Sequence, residues 1–198
     1  LSAKWLVPRL SDFQRHHPEI QVRLSATSEV EQVGARDIDI GIRFGRGGWN
    51  GLEAELLAPN IVFPVCSPAL LTPDRPINEP RDVLKYPLLT DIDWMRSGYD
   101  EWAEWTAAAG IIDNRVQSSL SLNYSNLLIQ AAKCGLGLAN VPRLLVRDDL
   151  ASGTLVAPLG FIPGPNKLKV WLAPHLGRRA DAVKLVDWLE GELRATER

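Results

Sequence analysis

Apolar positions along the first 24 residues recur first at helical spacing and then at strand spacing. Ala3, Leu6, Val7, Leu10 and Phe13 share one face of a helix, which predicts a helix over residues 2–16. Ser2 stands where an N-cap is expected, and Pro8 is tolerated because it lies close to the helix start. Pro18 closes the element, since the residue before a proline is pushed out of the α region. Ile20, Val22 and Leu24 then alternate as a strand. A helix that opens a chain with no sheet yet present to cover it reads as the middle-to-end of a longer protein.

Further along, strand and helix signals alternate. Ser28 and Glu31 form a capping-box pattern opening a short helix to Arg36. Ile38, Ile40 and Ile42 mark a strand that Phe44-Gly45-Arg46-Gly47-Gly48 breaks. Leu52–Leu57 and Ile61–Val65 read as two strands flanking Pro59. Pro68, Pro73, Pro76, Pro80 and Pro87 make the stretch from Ser67 a surface-hugging connection. A helix is predicted over Tyr99–Ala109, stopped by Gly110, and a strand over Gln117–Asn123. Ser125 and Asn126 then cap a helix running to Cys134, with Gly135 as its left-handed terminator and a buried strand over Leu136–Asn140. Pro142–Ala151 predicts another helix, Leu155–Leu159 and Leu168–Ala173 strands, and Ala180–Leu193 a final amphipathic helix. Phe161–Asn166 is a second Pro/Gly-rich crossing. The alternation predicts an α/β architecture with largely parallel sheets. The two crossings divide it into a first lobe, residues 1–66 and 166–198, and a second lobe, residues 67–165.

Composition narrows the function class. A chain of 198 residues, 45% hydrophobic and 23% charged, has an ordinary globular balance. A net charge of −2 argues against direct binding to nucleic acid, which needs a basic face. No run approaches the roughly 18 apolar residues of a membrane span. Cys66 and Cys134 lack metal-ligand spacing and point to a reduced, cytoplasmic setting, with a pairing between them left open.

Candidate catalytic groups do not converge. His16 and His17 suit the negative end of a helix dipole, and His175 has no Cys or Ser nearby in a relay pattern. Cys66-Ser67-Pro68 lacks a nucleophile elbow and a base at recognisable spacing. Asp91 and Asp93 read as a solvated loop. No metal signature appears, and neither glycine-rich stretch has the order of a nucleotide loop. The sequence therefore predicts no enzyme activity, no metal and no cofactor. Helix starts are the remaining chemistry. Ser2, Ser28 and Ser125-Asn126 each lie where a helix begins, the strand before Ser2 falling outside this sequence. Such starts offer unpaired N–H groups to an anion; the plainer reading is that they are only caps.

The wording of two segments adds a resemblance. The opening helix leads through His17-Pro18-Glu19-Ile20-Gln21-Val22 into a small polar turn, Ser25-Ala26-Thr27-Ser28, and Gln130 to Pro142 runs QAAKCGLGLANVP. Together these resemble the effector-binding, or substrate-binding, domain of LysR-type transcriptional regulators. The branch most similar includes the glycine-cleavage activator and the activator of β-lactamase genes. The resemblance implies two Rossmann-like lobes of periplasmic-binding-protein type II joined by two crossovers, with a small anionic or zwitterionic effector in the cleft between them. It implies a homodimer, or a tetramer at full length, with the first helix of one protomer (Arg9, Asp12, His16) facing its partner's second lobe. DNA would be contacted only through an N-terminal winged helix-turn-helix domain that this sequence lacks. Position by position it adds Ala26, Thr27, Arg43, Phe44, Cys66, Ser67 and Tyr124 to the ligand-contact candidates, beside Ser2, Ser125 and Asn126. Arg46 and Trp49 stand on a loop that would close over a ligand, or else on a solvated one. Trp94, Trp102, Trp105 and Trp171 read as packing residues. A transporter's solute-binding protein of the same fold is the rival reading and wants a signal peptide.

Overall fold

A computed structural model describes residues 1–26, 38–46, 48, 54–59, 61–112, 118–162, 169–174 and 180–197. The chain divides into two compact units, the first Leu1–Asn60 with Lys167–Arg198, the second Ile61–Asn166.

In the first unit the opening helix forms as its apolar stripe dictates. A π-helical turn over Ser2–Leu6, in which the Leu6 N–H reaches the Leu1 carbonyl (3.4 Å), runs directly into α1, Val7–His16. Trp5, Leu6 and Phe13 are buried on the predicted face. The cap differs from expectation: Leu1 holds the N-cap position and no side chain caps the helix, so Ser2 is the first helical residue. A C-terminal helix packs on this face. Phe13 meets Trp188 with ring centroids 5.3 Å apart, and the Trp188 indole N–H donates to Asp12 at 3.4 Å. The strand expected at Ile20–Leu24 does not form. Ile20 is buried, but residues 20–26 enter no ladder among the described residues, and Leu24 is exposed.

Among the described residues, β1 (Ile40–Gly45), β2 (Glu55–Pro59) and a later strand make the first unit's sheet. The second unit contributes β3 (Val62–Val65), β4 (Leu88–Asp91), β5 (Ser118–Leu122) and β6 (Leu138–Pro142). Its helices are α2 (Ile92–Arg96), α3 (Glu101–Ala108), α4 (Ser125–Lys133) and α5 (Arg143–Ala151). The chain then returns to the first unit with β7 (Lys169–Pro174) and α6 (Ala180–Glu197). The first sheet has the order β1-β7-β2 with both pairings antiparallel; the second has the order β3-β6-β4-β5, with only β4–β5 and β4–β6 parallel. This corrects the expectation of largely parallel sheets. Helical crossovers enforce parallel pairing only inside the second unit, where α2, α3 and α4 intervene between its strands. Strand β3 pairs with β6, so residues 61–66 lie in the second unit, not in the first lobe as the crossing prolines suggested. The strand expected over Leu155–Leu159 shrinks to a single bridge between Val156 and Cys66.

The core of the second unit gathers Cys66, Val83, Tyr86, Leu88, Trp102, Trp105, Ile111 and Leu138. All four residues of β4 are buried, as expected for a strand flanked on both sides. The α4-to-β6 turn shows why the GLG wording is needed. Gly135 takes φ +76° and ends α4, its N–H donating to Ala132 and that of Leu136 to Ala131. At Gly137 a Cβ atom would stand 2.5 Å from the Pro87 carbonyl oxygen, which accepts the Leu138 N–H at 2.9 Å. The two backbones approach too closely for any side chain.

Candidate functional site

The second unit brings the carboxyl end of β4 beside the first turn of α4, and the contact between them is a hydrogen bond between side chains. The Ser125 hydroxyl donates to Asp91 Oδ2 at 2.8 Å. Asp91 is 2% exposed, the last residue of β4 and the N-cap of α2, where its Oδ1 accepts the Asp93 N–H at 3.0 Å. Asp91 is thus buried and structural, correcting its reading as a solvated loop residue. Behind it lies Glu101, 1% exposed, whose Oε1 accepts the Asp91 N–H at 2.9 Å. The Asn140 amide donates to the Glu101 carbonyl at 2.5 Å. Glu101 Oε2 and Asn140 Oδ1 are buried without a hydrogen-bond partner among the described residues. No cationic side chain bonds Asp91 or Glu101 among the described residues.

Burial therefore controls how these acids titrate. Desolvation pushes Glu101 up to about 7 from 4.5, against the backbone N–H that favours its ionised form. Desolvation also raises Asp91, opposed by the Ser125 hydroxyl and the backbone N–H groups of α2. The helix start itself is unusual. Tyr124, the residue before α4, takes φ +61° and ψ 120° and contributes no side-chain cap; its ring is 49% exposed. Ser125 is half-buried, Asn126 exposed.

The other sequence-selected residues fall in varied surroundings. Ser2 is half-buried in the π-helical turn, Ala26 is exposed, and Thr27, with Ser28, Glu31, Trp49 and His175, lies outside the described residues. Arg43 and Phe44 are half-buried on β1, in register with Trp171 and Val170 of β7. Ser67 caps a short 3-10 turn by accepting the Ala69 N–H, at the edge of burial. Cys66 is fully buried in the second unit's core, and burial pushes its thiol up to about 11. A side chain enclosed on all sides cannot line a ligand face, so Cys66 leaves the set of contact candidates. Arg9 and Asp12 are likewise committed inside the first unit. Arg9 bonds the Trp5 carbonyl and faces Glu192 at 3.8 Å, while Asp12 serves Arg15 and Trp188. His16 remains exposed. Trp102 and Trp105 are core residues as expected, packed edge-to-face, with the Trp102 indole donating to the Leu89 carbonyl. A separate depression of about 230 Å³ in the second unit is lined by Ile61, Phe63, Arg143, Ala157, Gly160 and Phe161, and involves none of the selected residues. Sequence reasoning missed Asp91, Glu101 and Asn140. The only available signal was the apolar run Leu88-Leu89 leading directly into Thr90-Asp91, which marks a buried strand end.

Comparisons with known proteins agree with this architecture. The glycine cleavage system transcriptional activator of Escherichia coli K12 is 37% identical over 158 residues, covering 80% of this chain and 50% of the relative. The HTH-type transcriptional regulator TrpI of Pseudomonas aeruginosa is 34% identical over 98% of this chain and 64% of its own length. The chain thus spans only about half to two-thirds of the curated relatives it matches. Among solved structures, the AmpR effector binding domain from Citrobacter freundii superposes with a TM-score of 0.80 at 28% identity, over 98% of this chain and 94% of that one. The AmpR effector domain of Pseudomonas aeruginosa gives 0.78 at 30% identity, over 99% and 91%. These likenesses assign the fold to the type II periplasmic-binding-protein class. Residues 1–194 match the family described as the LysR substrate binding domain, and the chain belongs to that family.

Proposed function

We propose that this chain is the effector-sensing part of a DNA-binding transcriptional regulator, and that it binds a small anionic or zwitterionic molecule. The observation that carries this is the family match over residues 1–194 together with the superposition on effector-binding domains over nearly the whole chain. Ser2, Ala26, Thr27, Arg43 and Phe44 contribute from the first unit, and Ser67, Tyr124, Ser125 and Asn126 from the second. Binding works as a signal because the effector favours one conformation of the regulator over another, with a typical coupling of ~1–3 kcal/mol. DNA contact belongs to the part of the regulator that this chain does not span, and the setting is cytoplasmic. The chain acts by sensing rather than by catalysis.

The working assembly in this reading is a homodimer, with α1 of one protomer against the second unit of its partner. Support comes from large apolar side chains left exposed on both faces, Val7 and Leu24 in the first unit, Leu120 and Leu127 in the second. Sedimentation at micromolar concentration tests it, and a strict monomer counts against it. For the effector, a thermal-shift screen with amino acids, small carboxylates and cell-wall fragments is decisive. A true effector at a hundredfold excess over Kd stabilises the fold by about 2.7 kcal/mol, a shift of several degrees. A screen in which no class produces a saturable shift overturns the reading.

A further inference from the structure

The depression in the second unit lies apart from every residue assigned to the effector, and its surroundings have a chemistry of their own. Phe63 is a buried part of the lining, Phe161 is 49% exposed, and Ile61 and Ala157 keep the wall apolar. Among the described residues that line it, Arg143 alone is charged. An apolar cavity of about 150 Å³ already takes benzene, so a volume of about 230 Å³ accommodates one aromatic ring. It falls below the roughly 300–1,000 Å³ of sites that enclose a whole small molecule.

A second observation concerns the helix beside it. Arg143 opens α5 and Arg147 stands four residues later, so the two share one face, a helical turn of about 5.4 Å apart. Neither side chain forms a hydrogen bond or ion pair among the described residues. The first turn of α5 holds no acidic residue. Asp149 is taken by Lys133, and Asp148, next to Arg147 in sequence, lies round the helix from it. Like charges at this spacing repel one another, and negative charge laid along the helix relieves both. Only Arg143 borders the depression, so the order along the surface is ring pocket, first cation, second cation.

We propose that this surface docks an extended segment of a partner protein, one that carries an aromatic anchor and two acidic side chains at alternate positions. In an extended chain every second side chain points the same way, about 6.6 Å apart, which is close to one helical turn. A ring seated in the depression therefore sets acids two and four positions away beside Arg143 and Arg147. Aromatic and arginine side chains clustered at a pocket are the groups that dominate binding energy at protein interfaces. A small carboxylate would pair with Arg143 and leave Arg147 unmet. The surface belongs wholly to the second unit and is independent of the effector-sensing reading.

The probe is an acetylated, amidated peptide, Glu-Ser-Asp-Ser-Phe-Ser-Asp-Ser-Glu, whose pattern reads the same in both chain directions. It is titrated into the isotopically labelled chain, following the amide resonances of Phe63, Leu144 to Arg147, Ala157 and Phe161. A saturable response at these positions is expected, and exchanging the peptide's phenylalanine for alanine weakens it about tenfold or more. In the double variant Arg143→Glu, Arg147→Glu the response is lost, and a peptide with lysines in place of its acids binds that variant instead. Arg143→Gln alone weakens binding about twofold to fivefold, which keeps the test alive should the double variant fail to fold. Ala157→Leu, which fills the depression, removes the advantage of phenylalanine over alanine. Equal binding by the wild type and the charge-reversed variant overturns the proposal, as does a response that ignores the phenylalanine. A duplex oligonucleotide that gives these shifts where the peptide does not assigns the arginines to phosphate and overturns it too. Sodium phenylacetate binding as tightly as the whole peptide reassigns the depression to a small molecule. No response to the peptide overturns the proposal outright and leaves the effector-sensing reading untouched.

Discussion

Replacing Glu101 by glutamine keeps the shape of the side chain and removes its titration. The wild-type carboxyl releases its proton near 4.5 when unfolded and at about 7 when folded. Between those values the folded chain holds a proton that the unfolded chain has lost, so stability falls as pH rises through this window. Over the whole window the change amounts to about 3 kcal/mol; the stabilising effect of the neutral acid is complete below pH 4.5 and gone above pH 7. Glu101→Gln, permanently neutral, does not show this fall. It is expected to match the wild type near pH 5 and to exceed it progressively by pH 8. With a urea dependence of ~2 kcal/mol per molar, the midpoints separate by roughly 1 to 2 M at pH 8. Urea unfolding at several pH values, followed by tryptophan fluorescence, measures this, since Trp102 and Trp105 lie in the core of the same unit. Other titrating groups act on both proteins and cancel in the difference. Two curves that stay parallel from pH 5 to pH 8 would refute the buried, unpaired carboxyl.

Further outcomes follow from other contacts. Gly137→Ala forces its Cβ against the Pro87 carbonyl, which is backbone and cannot swing aside; a loss of about 1–3 kcal/mol is expected in chemical denaturation. Trp102→Phe leaves the buried Leu89 carbonyl without its indole donor and is expected to cost about 1–3 kcal/mol, read by the same assay. A thiol reagent added to the native protein is expected to modify Cys134, which is exposed, and to spare Cys66, which is buried with a thiol pushed up to about 11; both react in denaturant. Fast modification of two thiols in native buffer would contradict the placement of Cys66 in the core.

Much of the fold was legible because periodicity and terminators are local. The helix at residues 2–16, the left-handed glycine ending α4 and the amphipathic α6 each carry their own signal within a few residues. What failed were properties that depend on distant partners. Ile20, Val22 and Leu24 have strand spacing, yet a strand exists only if another edge receives it. The sheet directions were misjudged because β7, which arrives late in the chain, pairs antiparallel with both β1 and β2. The candidate site divides along the same line. Ser125 was visible as a helix start, but its polarity is set by Asp91, 34 positions earlier, and no spacing rule connects the two. Cys66 looked like a residue at a crossing; the bridge to Val156 turned that crossing into core.

The first sheet's order has a consequence for synthesis. Among the described residues, β1 and β2 pair only with β7, the central strand, which is made more than a hundred residues after both. Until residues 169–174 have left the ribosome, the first unit has two strands with nothing to join them, while the contiguous second unit, residues 61–166, already has every strand of its sheet. The second unit can thus complete its sheet while the first still lacks its central strand. Until α6 is made, Phe13 of α1 also lacks Trp188, the ring it packs against in the folded unit, and is open to whatever nascent-chain chaperone meets it.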